Sequence, residues 1–218
     1  MKIGIIGAGN IGSTLTRRLT SLGHQVAVAN SRGPDTLADL ARETGATAVP
    51  VNEAALGAAL VVVTIPEKHI PALSKDALDG AAPGAVIVDT GNYYPQRDGR
   101  IDAIEAGTPE SRWVAQQLDR PVVKAFNTIR AQHLLEMGQP AGTPGRIALP
   151  VAGDDPGGKA VVMALVDELG FDPVDAGGLD ESWRQEPGSP VYAADLDAVG
   201  VRRALSEAKA ERAPEFRA

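Results

Sequence analysis

Gly7-Ala8-Gly9-Asn10-Ile11-Gly12 fills every fixed position of the pattern G-x-G-x-x-G. That spacing suits one task, bringing a backbone close to a pyrophosphate. Gly7 allows a tight turn, Gly9 leaves room for the phosphates, and Gly12 lets a helix pack closely on a strand. A helix beginning at Asn10 and Ile11 would present its free N–H groups and the positive end of its dipole to the same phosphates. The motif alone is weak. Here an apolar run, Lys2-Ile3-Gly4-Ile5-Ile6, precedes it, and a helical pattern to Leu22 follows, with Ile11, Leu15 and Leu19 on one face. Gly23 then ends the helix before a second apolar run, Gln25-Val26-Ala27-Val28-Ala29. This strand–turn–helix–strand context turns the motif into a dinucleotide site.

The end of the second run discriminates between dinucleotides. An NAD site usually carries Asp or Glu there, bonded to the ribose 2′-hydroxyl. This chain has Asn30-Ser31-Arg32-Gly33-Pro34, and no carboxylate occurs before Asp35. Ser31 can donate a hydrogen bond to a 2′-phosphate and Arg32 can grip it with a charged fork. The bland alternative is that Ser31 caps the next helix and Arg32 is a solvated charge. NADP is therefore expected over NAD.

Acid–base chemistry is harder to find. The histidines, His24, His69 and His133, are scattered, so a zinc site is not expected. His24 reads as a surface residue in a turn and His133 as packing or surface within a helix. His69 follows Thr64-Ile65-Pro66 at a strand end, where it could touch cofactor or substrate. Lys124 lies within an apolar run, where a structural role outweighs action on a carbonyl. There is no G-x-S-x-G nucleophile elbow. No convincing acid–base pair emerges, and that points to an acceptor that needs none. Hydride transfer to a carbonyl develops an alkoxide that must be protonated. Transfer to a flavin-like ring spreads the charge over the acceptor, and the protein need only stack two rings. No residue is assigned a certain catalytic role. Stacking is expected near Asn92, Ala125, Phe126 and Asn127, with Thr64, Ile65 and Pro66 also at strand ends.

These residues require a scaffold. Helices are expected over 35–43, 52–58, 67–78, 108–118, from Ile129 to Met137, over 154–170 and over 195–209. Further strands are expected over 46–49, 60–65, 84–90, 122–126, 147–152 and 172–175. Residues 91–100, 138–145 and 183–192 read as loops, and the last residues as frayed. Strands and helices alternate, which argues for an α/β Rossmann-type, doubly wound, mainly parallel sheet. Residues 1–137 are expected to form the NADP-binding domain, and 138–218 a small C-terminal α/β extension completing the acceptor site. Fewer than about a hundred residues follow Asn127, too few for a long all-helical substrate domain.

Composition narrows the class. The chain has 218 residues and a formal charge of -7, with 28 acids against 21 bases. With no basic block, nucleic acid is not an expected partner. No apolar run reaches membrane-spanning length, and the first residues read as a strand, not a signal peptide. The absence of cysteine excludes disulfides and thiolate ligands, and it fits a reducing, cytoplasmic setting.

Three stretches together resemble the NADP oxidoreductases dependent on coenzyme F420. They are Gly7 to Gly12, Ala29-Asn30-Ser31-Arg32-Gly33-Pro34, and Val123-Lys124-Ala125-Phe126-Asn127-Thr128-Ile129. Glu181-Ser182-Trp183-Arg184-Gln185 and Pro190-Val191-Tyr192 are similar to bacterial members. The resemblance implies hydride transfer between NADP(H) and the 5-deazaflavin F420 as co-substrate. It also implies that Ser31 and Arg32 hold the 2′-phosphate, that the nicotinamide lies near Asn92 and Ala125 to Asn127, and that the chain dimerises. Similar domains in membrane metalloreductases pass hydride to an ordinary flavin. An NADPH-dependent flavin or imine reductase and a non-catalytic NADP sensor are the alternatives.

Overall fold

The computed structural model describes the backbone of all 218 residues and every side chain except that of Lys75. Its elements are β1 (Lys2–Ile6), α1 (Asn10–Ser21), β2 (Gln25–Ala29), α2 (Ala38–Thr44), β3 (Thr47–Ala48), β4 (Leu60–Val63), β5 (Val86–Asp89), α3 (Pro95–Asp98), α4 (Asp102–Glu105) and α5 (Glu110–Leu118). They continue with β6 (Val123–Lys124), α6 (Ala131–Glu136), β7 (Ala148–Gly153), α7 (Pro156–Glu168), β8 (Asp172–Asp175) and α8 (Ala198–Glu207). The strands form an eight-stranded sheet in the order β3-β2-β1-β4-β5-β6-β7-β8. Every neighbouring pair is parallel except β6–β7. This is the doubly wound α/β fold that the alternation of elements predicts. β7 and β8 extend the same sheet.

The strand sequences explain the layers. Successive side chains point to opposite faces, so a strand covered on both sides must be apolar throughout. Ile3, Ile5, Leu60, Val62 and Val88 pack on one face with Leu15 and Leu19 of α1, Leu134 of α6, and Val162 and Leu165 of α7. Ile6, Val61, Val63 and Ile87 pack on the other with Ala54, Ala55, Ile70, Trp113 and Val114. A third cluster seats Val201, Ala204 and Leu205 of α8 against Ala148, Ala152 and Val174.

Two expected helices are absent as α-helices. Residues 52–58 form a 3-10 turn over Val51–Glu53, followed by further i to i+3 bonds up to Ala58, with Gly57 left-handed at φ 64° and its N–H turned to the Gly80 carbonyl. Residues 67–78 split into 3-10 turns at Glu67–Ala72 and Lys75–Leu78. Pro71 removes a donor inside the first, and Leu73 and Ser74 are extended between them. The expected loop at 91–100 contains the one-turn α3, and the block read as irregular begins within a 3-10 helix, Leu179–Gln185. The chain end is fastened, not frayed. Phe216 packs beside Tyr94 and Tyr192, with ring centroids 6.1 and 6.4 Å apart. Arg212 reaches Glu110 and Glu186, each at 2.9 Å.

Candidate functional site

Register brings the chemistry-bearing segments to one edge. Ile6 pairs with Ala29 and Val63, Val63 with Asp89, and Asp89 with Lys124. Gly7, Asn30, Thr64, Thr90 and Ala125 therefore leave the sheet side by side. The winding reverses between β1 and β4, and the crevice there is flanked by Gly7-Ala8 and Thr64-Ile65-Pro66. Ligands of open parallel sheets bind in that position.

The glycines of the opening turn divide their tasks. Gly7 has φ 110°, and a Cβ there would sit 2.2 Å from the Thr64 carbonyl oxygen. At Gly12 a Cβ would lie 1.9 Å from the Gly7 carbonyl oxygen and 2.8 Å from Thr64 Cγ2, so only glycine lets α1 approach the turn. At Gly9 a Cβ would meet nothing within 4 Å. The space above Gly9 is thus open, and the first turn of α1 behind it carries no side-chain cap and no acidic residue. Among the described residues, the N–H groups of Asn10, Ile11 and Gly12 find no protein acceptor. By contrast, α7 and α8 are capped by Asp155 and Asp197. Uncapped N–H groups facing open space fit an anion, and these residues fit a dinucleotide pyrophosphate.

Beyond β2, Asn30 shapes the turn. Its Oδ1 accepts the Arg32 N–H at 2.9 Å, and its Nδ2 donates to Thr36 Oγ1 at 2.9 Å. Ser31 caps nothing; the following 3-10 helix, Pro34–Leu37, has Gly33 at its N-cap and no side-chain cap. Ser31 and Arg32 are exposed, and among the described residues the Arg32 guanidinium has no hydrogen bond or ion pair. An unengaged guanidinium beside an unengaged hydroxyl, with no acid at that strand end, suits a 2′-phosphate.

The ends of β5 and β6 are lined by amides. Asn127 Nδ2 donates to Asn92 Oδ1 at 3.0 Å and to the Gln185 carbonyl at 2.6 Å, while Asn92 Nδ2 donates to the Asn127 carbonyl at 3.0 Å. Gln185 Nε2 returns a bond to Asn127 Oδ1 at 3.0 Å. Phe126 turns this segment with φ 62°, a conformation that bulky side chains rarely adopt. Its ring is buried in the core, so packing holds the strained backbone in place. Ala125 is buried beside it, whereas Thr64, Ile65 and Pro66 are half-buried and His69 is exposed. Gln185, which the sequence marks only as the end of the stretch Glu181 to Gln185, joins this amide cluster.

Behind the amides lies a cluster of buried ionisable groups, of which the sequence singles out Lys124 alone, in a structural role. Lys124 is fully buried and ion-paired to Asp89 at 3.2 Å, and Ser111 Oγ donates to the same carboxylate at 2.6 Å. Glu67 is buried nearby, with one oxygen 2.7 Å from Arg97 and the other without a hydrogen-bond partner. Burial works against the Lys124 charge, but Asp89, Glu110, Glu67 and Glu186 outweigh it and hold its pKa above the ordinary lysine value. Burial, then the charge of Asp89, pushes the Glu67 carboxyl up to about 8 against the pull of Lys124 and Arg97. Burial, then Glu186, likewise raises Glu110.

A raised carboxyl pKa makes stability fall as pH rises. From the unfolded value near 4.3 up to about 8, the unfolded chain has released a proton that folded Glu67 retains. Glu67→Gln should therefore flatten the decline of Tm between about pH 5 and pH 8 by several degrees, as read by thermal melts across that range. An unchanged decline would show that Glu67 is ionised throughout.

The histidines form no cluster. His24 lies 3.0 Å from the N-terminal amine and 3.2 Å from Glu168, and His133 lies 2.6 Å from Asp195. Among the described residues no group of His, Cys, Asp and Glu could hold a metal ion, and no helix is long and apolar enough to cross a membrane. Tyr94 and Tyr192 share a hydrogen bond between their hydroxyls. A cavity of about 830 Å³ between the chain end and the Trp183 block contains none of the crevice residues.

Comparison with known proteins agrees with this geometry. Residues 2–93 match the family described as NADP oxidoreductase, coenzyme F420-dependent. The chain is similar to a hypothetical protein of Sinorhizobium meliloti, with 30% identity, 90% of this chain and 95% of that chain covered, and a TM-score of 0.76. It is similar to a protein of Arthrobacter provisionally named an F420-dependent NADP-reductase, with 26% identity, 84% and 87% covered, and a TM-score of 0.68. Over 70 residues it is 49% identical to the protein YjhV of Escherichia coli, a match of 32% of this chain that spans about half, 51%, of that relative.

Proposed function

We propose that this chain, whose residues 2–93 match the family of coenzyme F420-dependent NADP oxidoreductases, transfers a hydride between NADP(H) and coenzyme F420. The observation that carries the reading is the division of the sheet edge into an anion-binding end and an amide-lined end. The N–H groups of Asn10, Ile11 and Gly12 receive the pyrophosphate, and Ser31 and Arg32 receive the 2′-phosphate. Asn92, Ala125, Phe126 and Asn127 form the wall against which the nicotinamide rests, with Thr64, Ile65 and Pro66 on the β4 side. When bound, NADPH supplies the hydride. In this reading residues 1–137 hold NADP, while residues 138–218 complete the acceptor site through Gln185 and Tyr192.

The amide wall supports a ring acceptor. The ionisable groups of this region, Glu67, Asp89 and Lys124, are buried. His69 is exposed and has no carboxylate partner among the described residues. Such a site orients rings well, and none of these buried groups stands open as a proton donor to an alkoxide. One feature favours a second reading, NADPH-dependent flavin or imine reduction. The paired hydroxyls of Tyr94 and Tyr192 join the segment after Asn92 to the loop whose Ala193 N–H bonds the Thr128 carbonyl, and a hydroxyl there could protonate a reduced imine.

The test mixes protein and NADPH with F420, FMN or a cyclic imine and follows the nicotinamide absorbance band. Turnover with F420 and not with the others is expected. Turnover confined to FMN or the imine would overturn the F420 reading, and tight NADPH binding without any turnover would point to the sensor.

A further inference from the structure

We infer that buried Asp89, Lys124 and Glu67, together with the partly exposed Arg97, act as a clamp that fixes the backbone of Gly91 and Asn92, making them positioning residues for the nicotinamide ring. The inference deepens the proposed function and rests on its placing the nicotinamide at Asn92 and Asn127. Its basis is the number of separate fastenings on two residues. Asp89 Oδ1 accepts the Gly91 N–H at 2.9 Å, and Lys124 Nζ donates to the Gly91 carbonyl. Arg97 Nη2 donates to the Asn92 carbonyl at 2.6 Å and to Glu67 at 2.7 Å. A Cβ on Gly91 would sit 2.3 Å from Glu67 Oε1 and 3.0 Å from Asp89 Oδ1, so the two carboxyl groups occupy the space a side chain would need. The Asn92 side chain then bonds the Asn127 amide, which passes the fixed geometry from β5 to β6.

A salt bridge kept only for stability is poor use of a buried lysine, because well-packed neutral replacements are often as stable. Here each member of the pair also grips the same residue, Gly91. The ring of the cofactor would lie against a segment that cannot tilt, while the adenosine end is held by other residues. Position and affinity should therefore separate on mutation.

The test uses two variants of the full chain. Gly91→Ala pushes the clamp aside with one methyl group. The double variant Asp89→Asn, Lys124→Met removes both charges together, so neither remains as an uncompensated ion. For each, NADPH affinity is measured by titration, immobilisation of the bound dihydronicotinamide by fluorescence anisotropy, and kcat and KM with F420. Both variants are expected to bind NADPH within about 3-fold of wild type, yet lose anisotropy at the ring and roughly 10- to 100-fold in kcat, the scale set by an ångström of misplacement. Wild-type anisotropy and kcat in both would overturn the clamp. So would a loss of affinity in step with Tm, which would mark a structural role alone. If wild type immobilises the ring and the variants do not, the clamp stands even where F420 fails as acceptor, and only the acceptor assignment falls.

Discussion

Replacing Arg32 with alanine should weaken NADPH binding by roughly 10- to 100-fold and leave NADH binding within about 2-fold, because a charge-assisted hydrogen bond is worth ~1.5–3 kcal/mol. The guanidinium is exposed and makes no ion pair among the described residues, so its removal disturbs nothing else in the fold. Tm should stay within a degree of wild type. Ser31→Ala should show the same preference on a smaller scale. Calorimetric titration with both nucleotides reads the result directly. Equal losses for NADPH and NADH would mean that the 2′-phosphate lies elsewhere.

The opening turn supports a second large effect with an internal control. Gly12→Ala should lower both stability and binding. Its methyl group would be 1.9 Å from the Gly7 carbonyl oxygen, so α1 must move off the turn. Overpacking of this kind costs ~1–3 kcal/mol, and the moved helix takes its N–H groups away from the pyrophosphate. A loss of at least ~100-fold in NADPH affinity is expected if two or more of those hydrogen bonds are lost. Gly9→Ala meets no protein atom within 4 Å and should leave Tm unchanged while still obstructing the phosphates. Thermal melts beside titrations separate the two variants. Full NADPH affinity in Gly9→Ala would show that the space above Gly9 does not receive the cofactor.

The parts of the structure legible in the sequence are those with local causes. The β-branched runs at β1, β4 and β5 and the glycine spacing before α1 fix the parallel edge. The Asn30–Arg32 segment falls at the end of β2 because that strand is five residues long and pairs in register with β1. The crossovers around β4 form 3-10 turns where apolar spacing predicts α-helix, because Pro71 and Gly57 interrupt them. The partners of the buried charges are not legible in the sequence for another reason. Lys124 and Asp89 are 35 residues apart, Arg97 and Glu67 are 30 apart, and Arg212 and Glu110 are 102 apart. No local pattern joins them. The lysine inside an apolar strand shows that a partner must exist, and a neighbouring strand ending in aspartate supplies it, since burying either charge alone would be very costly. The same reasoning explains why the chain end is ordered: Arg212 supplies the cation that buried Glu110 and Glu186 require.

Hydride transfer between two rings without an acid–base residue can be traced by the fate of the hydrogen. F420 has carbon where a flavin has N5, so hydrogen delivered to that position does not exchange with water. With NADPH deuterated at nicotinamide C4 on the transferred face, the deuterium should appear at C5 of reduced F420 and be retained. NADPH oxidation that leaves no deuterium on F420 would contradict the account.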